Sequence, residues 1–311
     1  MLNILFSDRD FRWAQWQGPL RDAFVDAGIP VHLHRDTSSP QDVDYVVYSA
    51  ASPLQDFTPY TRLKAVLSMW AGVDSIVGNK TLTVPLTRMS DQGLQEGMVE
   101  YVTGHVLRHH LGMDAHIHGQ DGVWRDTVAP PLARERSVGI LGLGALGREC
   151  ARSLSGIGFN VHGWSRQEKQ SDHAVSHFGP DGLHDVLGLS DYLVLLLPHT
   201  AETENILNDK TLAGTKPGVV IINAGRGPLI DEAALIAALD RGQVSHATLD
   251  VFWREPLPPA HALWAHPKVT VTPHIAAETR ARSSATIIAE NVRRSEAGEP
   301  LLYLVDREQG Y

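Results

Sequence analysis

Three short segments of this chain each carry a side chain that can do ionic or acid–base chemistry, and each follows a strand-like apolar run. Arg226 lies between two glycines, Glu255 precedes a proline and His274 follows one. Because ligands of open parallel sheets bind beyond the carboxyl ends of the strands, we expect these side chains at a ligand site. Taken singly, they have ordinary alternatives: a surface cation, a loop carboxylate and a turn histidine. The segments are Asn223–Gly227, Leu249–Pro258 and Thr272–Ala276.

A glycine-rich loop joins another strand-like run to a helix-like run. Gly142 permits the tight turn, Gly144 lets the backbone approach a pyrophosphate, and Gly147 lets helix and strand pack closely. The helix N-terminus adds unpaired N–H groups and a partial positive charge. The loop therefore predicts a dinucleotide phosphate site, and a strand–helix turn without a ligand is the alternative. Its full sequence is Gly142-Leu143-Gly144-Ala145-Leu146-Gly147.

The residues after the next strand indicate which dinucleotide is bound. Folds that bind NAD usually carry Asp or Glu about 20 residues after the glycine loop, for the ribose 2′-hydroxyl. This chain has Ser165 and Arg166 there, with Lys169 close behind. A hydroxyl and cations suit a 2′-phosphate, which a carboxylate would repel. We therefore expect NADPH or NADP, with NAD possible but less favoured; a solvated basic turn is the alternative.

The elements that must position these residues form two series of short apolar runs alternating with amphipathic stretches, which predicts an α/β fold. In the first series we expect strands at Leu2–Phe6, Val31–His34, Tyr45–Tyr48 and Ala65–Met69, then a helix over Gln92–Leu111. In the second we expect strands from Ser137, in FNVHGW, at Asp191–Pro198, Val219–Ala224 and His246–Phe252, and in KVTVTPH. Further helices are expected at Leu146–Ile157, Asp231–Leu239 and Thr279–Ala297.

Together these motifs resemble the D-isomer-specific 2-hydroxyacid dehydrogenase family, most closely its bacterial glyoxylate/hydroxypyruvate reductase A branch. The resemblance covers most of the chain. It implies two α/β domains: a Rossmann-type doubly wound parallel sheet over residues 99–283 that binds the dinucleotide, and a smaller flavodoxin-like substrate-binding domain built from residues 1–98 and 284–311. The matching segments are Ala71–Ile76, the glycine loop, Leu197-Pro198, the three segments above and Val305–Arg307.

The resemblance assigns catalysis to Arg226, Glu255 and His274, and the chemistry agrees. A 2-oxo acid presents a carboxylate beside a ketone, which the planar fork of Arg226 can bind and polarise. His274 can donate a proton in reduction and accept one in oxidation. Glu255 beside it would favour the imidazolium and orient the ring.

The resemblance also implies the remaining site residues. Backbone N–H groups of Ala71, Gly72 and Val73 would hold the substrate carboxylate, together with Arg226 and His274. Trp70 either shapes a small pocket or is a core aromatic. Beyond the glycine loop, Ser165, Arg166 and Lys169, cofactor contacts are expected at Leu197, Pro198, Ala224, Asp250 and Ala276.

Composition excludes several classes of protein. With 43% hydrophobic and 20% charged residues, the 311-residue chain is globular. A net charge of −9 makes it a poor nonspecific nucleic-acid binder. It has no apolar run of the roughly 20 residues that a membrane helix needs. The single cysteine, Cys150, excludes a multi-cysteine zinc site and fits a reducing compartment, so we expect the cytoplasm.

Two histidine pairs have the i,i+4 spacing of helical metal ligands: His105 with His109, and His173 with His177. Neither pair has the glutamate of an H-E-x-x-H motif. We therefore expect solvated helix faces and no metal.

The function expected is NADPH-dependent reduction of a small 2-oxo acid, glyoxylate to glycolate or hydroxypyruvate to D-glycerate, by a homodimer. In the family, the helix near Gln92–Leu111 commonly contributes to a dimer interface; its apolar stripe could equally be intramolecular core. One alternative is an NAD-linked dehydrogenase for another D-2-hydroxy acid, of the D-lactate or phosphoglycerate type. Another is a corepressor-like module that senses a nucleotide without turnover.

Overall fold

The computed structural model describes residues 1–124, 129–308 and 310. The chain divides into two compact units. The terminal unit contains Met1–Leu94 and Thr279–Tyr311, and the central unit contains Gln95–Glu278. The predicted boundaries, after residues 98 and 283, lie a few residues from this division. That the central unit binds the dinucleotide and the terminal unit the substrate stays a prediction.

The described part of the terminal unit is built on a parallel sheet with the strand order β2-β1-β3-β4-β5. This is the flavodoxin-like order that the sequence analysis predicted, with its reversal between β1 and β3. Every residue of β3 and β4 is buried, because helices and loops cover both faces of the sheet. The elements are β1 (Leu2–Ser7), α1 (Asp10–Asp26), β2 (Val31–His34), β3 (Tyr45–Tyr48), β4 (Ala65–Ser68) and β5 (Leu86–Thr87), with a 3₁₀ turn at Pro40–Asp42.

The central unit contains, in its described residues, a parallel sheet ordered β12-β11-β10-β9-β6-β7-β8. The order reverses between β6 and β9, as in a Rossmann-type doubly wound sheet, and β6 leads into the glycine loop. The predicted fold class is thus confirmed. The strands are β6 (Ser137–Leu141), β7 (Asn160–Ser165), β8 (Val175–Phe178), β9 (Tyr192–Leu195), β10 (Val219–Asn223), β11 (Val244–Leu249) and β12 (Val269–Val271).

Helices surround this sheet, and a side-chain hydrogen bond marks where one of them begins. Asp231 caps one of them by accepting a hydrogen bond from the Ala234 N–H. The helices are α2 (Gln92–His110, which begins in the terminal unit), α3 (Met113–His118), α4 (Ala145–Ile157), α5 (Gly179–Leu189), α6 (Asp209–Ala213), α7 (Glu232–Asp240) and α8 (Ala262–Ala265), with 3₁₀ turns at Ala133–Glu135 and Gly227–Leu229. None of the described helices is long and apolar enough to cross a membrane.

The end of the chain returns to the terminal unit. Helix α9 (Ala281–Ala297) packs along α1, so this unit is built from both chain ends. The Tyr45 hydroxyl donates to the Glu296 carboxylate at 2.5 Å, which fixes α9 to the buried strand β3. Farther on, Leu304 pairs antiparallel with Thr87 of β5, and the Arg307 guanidinium donates to the carbonyl groups of the segment before that strand.

The interpretation of the two histidine pairs was wrong in two respects. His177 lies on strand β8, so its pairing with His173 is not helical. That edge strand has only four residues, of which the apolar Val175 and Phe178 are exposed, and apolar periodicity gave no signal for it. His109 does lie on α2, but its Nε2 atom is 3.0 Å from the Thr248 hydroxyl and its ring packs against His246 of β11. This face of α2 is covered by the sheet rather than solvated.

Candidate active site

The glycine loop has the backbone geometry that a phosphate cradle needs. Gly142 has a φ of +117°, and a Cβ atom there would lie 2.8 Å from the Leu196 carbonyl oxygen. A Cβ atom on Gly147 would overlap the Gly142 carbonyl oxygen. By contrast, a Cβ atom on Gly144 would meet open space at the N-terminus of α4. Two glycines therefore allow tight packing, and the third leaves the helix N–H groups accessible to an anion.

The residues between these glycines divide into packing and helix-start positions. Leu143 is buried, and its side chain lies over Gly163 of β7, where any Cβ atom would collide with it. Ala145 and Leu146 form the first turn of α4. The predicted phosphate loop thus also joins α4 to the sheet.

The end of β7 places the predicted ribose-side residues in different environments. Ser165 is buried, and its hydroxyl donates to the Gln167 carbonyl oxygen at 2.7 Å, so its proton is used inside the turn. Arg166 is half-exposed, and its Nη1 atom is 3.9 Å from the Glu202 carboxylate. Arg166 therefore has a carboxylate neighbour that an anionic ligand would have to compete with.

Two further cations, Lys169 and Arg148, belong to the same region. Burial lowers the pKa of Lys169, and the charges of Arg148 and Arg166 lower it further. Arg148, in the second turn of α4, was not among the predicted site residues. Its position directly after the last glycine of the loop was the available signal. The predicted ribose end of the central unit is therefore electropositive.

A buried asparagine shapes the loop that carries Arg226. The Asn223 side chain donates to the Arg226 carbonyl oxygen at 3.0 Å and accepts from the Gly225 N–H at 3.1 Å. A Cβ atom on Gly227 would collide with the Phe252 backbone, so only glycine fits. Sequence reasoning did not assign Asn223 a role. A buried amide at the end of an apolar strand was the signal.

Asp250 holds the segment that carries His274. One carboxylate oxygen accepts from the Thr272 hydroxyl at 2.6 Å and from the Ile275 N–H at 2.9 Å; the other accepts from the Ala276 N–H at 2.9 Å. Asp250 is buried, so these bonds compensate for its charge. The resemblance implied a cofactor contact for this residue, and in the described residues its carboxylate positions the histidine segment.

His274 adopts a strained backbone conformation within that segment. Its φ is +56°, in the left-handed region that a non-glycine residue rarely adopts. Its N–H donates to the carbonyl oxygens of Asp250, at 2.9 Å, and Thr272, at 3.1 Å. Such strain persists where the surroundings determine the conformation, and it is concentrated at functional sites.

The structure brings His274 and Glu255 into direct contact. His274 Nδ1 lies 2.7 Å from one Glu255 carboxylate oxygen, and the other oxygen accepts from the Phe252 N–H at 3.0 Å. Burial by itself would raise the pKa of Glu255, but the hydrogen bonds from His274 and Phe252 and the charges of His274 and Arg226 lower it overall. Glu255 is therefore an anion at neutral pH, and the three predicted catalytic side chains share one region of the central unit.

The other cofactor positions line the same edge of the sheet. Leu197 and Pro198 follow β9, and Ala224 follows β10. Leu197, Ala224 and Ala276 are buried, and the Pro198 carbonyl oxygen accepts from the Thr203 hydroxyl. These residues provide backbone and apolar surface rather than charge.

The predicted substrate-carboxylate residues lie in the terminal unit, directly after β4. The Trp70 N–H donates to the Ser68 hydroxyl at 3.1 Å, and the Arg12 guanidinium lies 4.6 Å from the Trp70 ring centroid. Among the described residues, the buried Trp70 Nε1 atom has no hydrogen-bond acceptor. Trp70 is thus a half-buried residue stacked under a cation, and Ala71, Gly72 and Val73 follow it.

The fold and this site define a dinucleotide-binding α/β protein. Residues 103–276 match the family described as D-isomer specific 2-hydroxyacid dehydrogenase, NAD binding domain. The chain is 37% identical, over the full length of both chains, to glyoxylate/hydroxypyruvate reductase A of Yersinia enterocolitica. It belongs to the D-isomer-specific 2-hydroxyacid dehydrogenase family, as the sequence analysis predicted.

Two solved structures are similar over nearly the whole chain. A D-isomer specific 2-hydroxyacid dehydrogenase from Xanthobacter autotrophicus Py2, in complex with NADPH and MES, is 39% identical with a TM-score of 0.92, covering 99% of each chain. An NADPH-dependent glyoxylate/hydroxypyruvate reductase from Sinorhizobium meliloti, in complex with NADP and sulfate, is 34% identical with a TM-score of 0.89, covering 100% of each chain.

Proposed function

We propose that this protein is an NADPH-dependent oxidoreductase that reduces glyoxylate to glycolate and hydroxypyruvate to D-glycerate. The observation that carries the proposal is the 2.7 Å contact between His274 and Glu255, beside the charge of Arg226. A positioned proton donor and a carboxylate-binding cation are what reduction of a 2-oxo acid requires. The substrates are those named for the Yersinia and Sinorhizobium relatives.

The glycine loop and the residues after β7 fit NADPH. The open space at Gly144 and the N-terminus of α4 would take the pyrophosphate. Arg166, Lys169 and Arg148 would attract a 2′-phosphate, since they form the electropositive end described above. When bound, NADPH supplies the hydride for reduction. NADP-bound relatives support the same choice.

The protein residues bind the substrate and supply the proton. Arg226 binds the 2-oxo acid through its carboxylate and polarises the ketone oxygen. With Nδ1 bonded to Glu255, the His274 Nε2 atom is the nitrogen that passes a proton to the developing alkoxide. Glu255 stabilises the imidazolium and fixes the ring. Asp250 and Asn223 are positioning residues, because they act through the loops that carry His274 and Arg226.

The test is a matrix of cofactors and substrates. NADPH or NADH would be combined with glyoxylate, hydroxypyruvate, pyruvate and phenylpyruvate, and loss of reduced-cofactor absorbance would be measured. We expect the highest kcat/KM with NADPH and the two short acids. A preference for NADH with pyruvate would favour an NAD-linked lactate-type enzyme. Tight NADPH binding with no turnover of any acid would favour a nucleotide-sensing module.

The homodimer remains a proposal, and a run of exposed apolar side chains after α2 supports it. Ile117 is 59% exposed and Trp124 88% exposed, and Leu111 and Leu132 are also exposed. Exposed apolar residues that form one contiguous patch are typical of a protein–protein interface. We expect a dimer in analytical ultracentrifugation and a monomer for the variant Ile117→Asp with Trp124→Ser. A monomeric wild type would rule out the dimer.

We also propose that the enzyme acts in the cytoplasm. The free cysteine, Cys150, is buried on α4, which fits a reducing compartment. Fractionation of cells that make the native protein would test this, and recovery outside the cytoplasmic fraction would contradict it.

A further inference from the structure

A cluster of metal-ligating side chains lies in the central unit, and its members are not among the site residues above. His109 of α2, Asp114 of α3 and His246 of β11 each offer one ligand atom, and these atoms lie within 4.8 Å of one another. The two imidazole ring centroids are 4.6 Å apart. His109 and Asp114 lie on consecutive helices, close in sequence, whereas His246 lies on a strand far along the chain. Folding alone brings them together.

Each of the three side chains has a second partner that fixes it and leaves one ligand atom available. His109 Nε2 is 3.0 Å from the Thr248 hydroxyl, and His246 Nε2 is 2.9 Å from the Thr270 hydroxyl. The Nδ1 atoms are therefore the ring nitrogens available to an ion. Ligating histidines typically bond an outer partner through the other nitrogen in this way.

The Asp114 carboxylate resembles the histidines in having one atom bonded to a neighbouring residue and one atom available to an ion. One oxygen of Asp114 accepts from the Arg108 guanidinium at 2.6 Å, so the other oxygen can face an ion. Burial alone would raise the pKa of Asp114, but this bond and nearby charges lower it overall, so the group is an anion. All three residues are partly buried, which leaves a route for an ion to enter.

The histidines are in the protonation state that a metal needs. Burial, then the charges of neighbouring histidines and Arg108, lowers the pKa of His109 to about 3. Burial also lowers the pKa of His246, with Arg108 adding to the effect. Both rings are therefore neutral at pH 7 and keep a lone pair for coordination, so no proton has to be displaced.

We propose that His109, Asp114 and His246 form a binding site for a late first-row divalent cation such as Zn²⁺, with a fourth position open to water. Two imidazoles and one carboxylate form a donor set that suits zinc, cobalt and nickel better than magnesium or calcium. The ion would join α2, α3 and β11. The positive charge of Arg108 beside the cluster opposes a cation, so binding is weaker than at a closed thiolate site.

The test uses the tag-free, full-length protein, stripped with chelator and titrated with ZnCl₂ by calorimetry and with CoCl₂ by visible absorption. We expect one ion per chain and cobalt absorption bands distinct from those of the aqueous ion. His109→Gln, Asp114→Asn and His246→Gln should each weaken binding by at least about tenfold. Zn²⁺ should raise the Tm of the wild type but not that of His246→Gln.

The matched control is His116→Gln, which removes an exposed histidine two residues from Asp114 on the same helix. It should bind Zn²⁺ like the wild type. The site would be ruled out by a wild type that binds no ion, or by cluster variants that keep wild-type affinity. Equal loss in His116→Gln would assign the ion to surface histidines instead. If a cluster variant fails to fold, the cobalt spectrum of the wild type decides, since bands identical to the aqueous ion would overturn the proposal.

Discussion

The two ends of the candidate active site are constructed differently. At the catalytic end, Asp250 and Glu255 are tied by hydrogen bonds to the backbone, and they hold His274 in a strained conformation. At the ribose end, Arg166 is half-exposed and approaches a carboxylate, Glu202, only at 3.9 Å. The catalytic end is fixed by several short hydrogen bonds, whereas the ribose end acts mainly through the charge of its side chains.

The difference follows from what each end has to do. Proton transfer requires reacting atoms within hydrogen-bond distance, so a small displacement of His274 reduces the rate. Attraction of a 2′-phosphate falls off gradually with distance and tolerates a mobile cation. We therefore expect substitutions at the catalytic end to have large effects, and substitutions at the ribose end to have smaller, salt-dependent ones.

The largest effect is expected for His274→Gln. Loss of a positioned proton donor should lower kcat by about 10²–10⁴. Glutamine can still form a neutral hydrogen bond, so NADPH affinity, measured by fluorescence titration, should change little. A variant that retains more than half of the wild-type kcat would remove His274 from the mechanism.

The second-largest effect is expected for Arg226→Lys. An ammonium keeps the charge but lacks the planar fork that binds a carboxylate and polarises the ketone. We expect kcat/KM for glyoxylate to fall by about 10²–10³, comparable to the loss of one oxyanion-binding donor. Steady-state kinetics with the Arg241→Lys variant, a partly exposed arginine after α7, provide the control. Equal, small effects in both variants would mean that Arg226 is peripheral.

At the ribose end, Arg166→Ala should reduce the preference for NADPH over NADH. A charge-assisted hydrogen bond contributes about 1.5–3 kcal/mol, or about 10–150-fold in affinity, and exposure places Arg166 at the lower end of that range. Arg152→Ala, an exposed arginine of α4, is the control. The wild-type preference should weaken with salt. An unchanged kcat/KM ratio in Arg166→Ala would shift the assignment to Lys169 or Arg148.

Glu255→Gln should change the pH dependence more than the maximum rate. In the folded protein the pKa of Glu255 is lowered, so the carboxylate is present above its unfolded-state pKa and is lost only as the pH falls through the lowered value. Across neutral pH it therefore places a negative charge beside the Nδ1 atom of His274. Removing it should move the alkaline limb of the kcat/KM profile for reduction to lower pH, by about one unit. If the alkaline limb does not move, Glu255 does not control the availability of the proton that His274 donates.

Sequence reasoning found the elements with strong periodicity and the motifs with glycine. The buried strands β9 and β10 are continuous apolar runs, and their two covered faces make that pattern necessary. Strand β8 was missed because its residues Val175–Phe178 alternate weakly at a sheet edge. The residues of such an edge strand do not by themselves predict a strand, because its pairing with the neighbouring strand specifies it.

The sequence predicted which residues lie in the candidate site, but it did not predict the hydrogen bonds that connect them. His274, Glu255 and Arg226 follow strands, and parallel topology brings strand ends together. The hydrogen bonds of Asp250 to the segment Thr272–Ala276 depend on backbone directions that spacing does not encode. His109 and His246 are far apart in sequence, so their contact, too, emerges only from the register of β11 beneath α2.

The most direct test of the central claim follows the hydrogen itself. NADPH with both hydrogens of the transferring nicotinamide carbon replaced by deuterium would be mixed with hydroxypyruvate and the enzyme, and the product analysed by mass spectrometry and chiral chromatography. We predict D-glycerate carrying one deuterium at C2, formed at a rate that His274→Gln reduces. Product without deuterium, or no glycerate at all while NADPH stays bound, would contradict hydride transfer to a 2-oxo acid as the function of this protein.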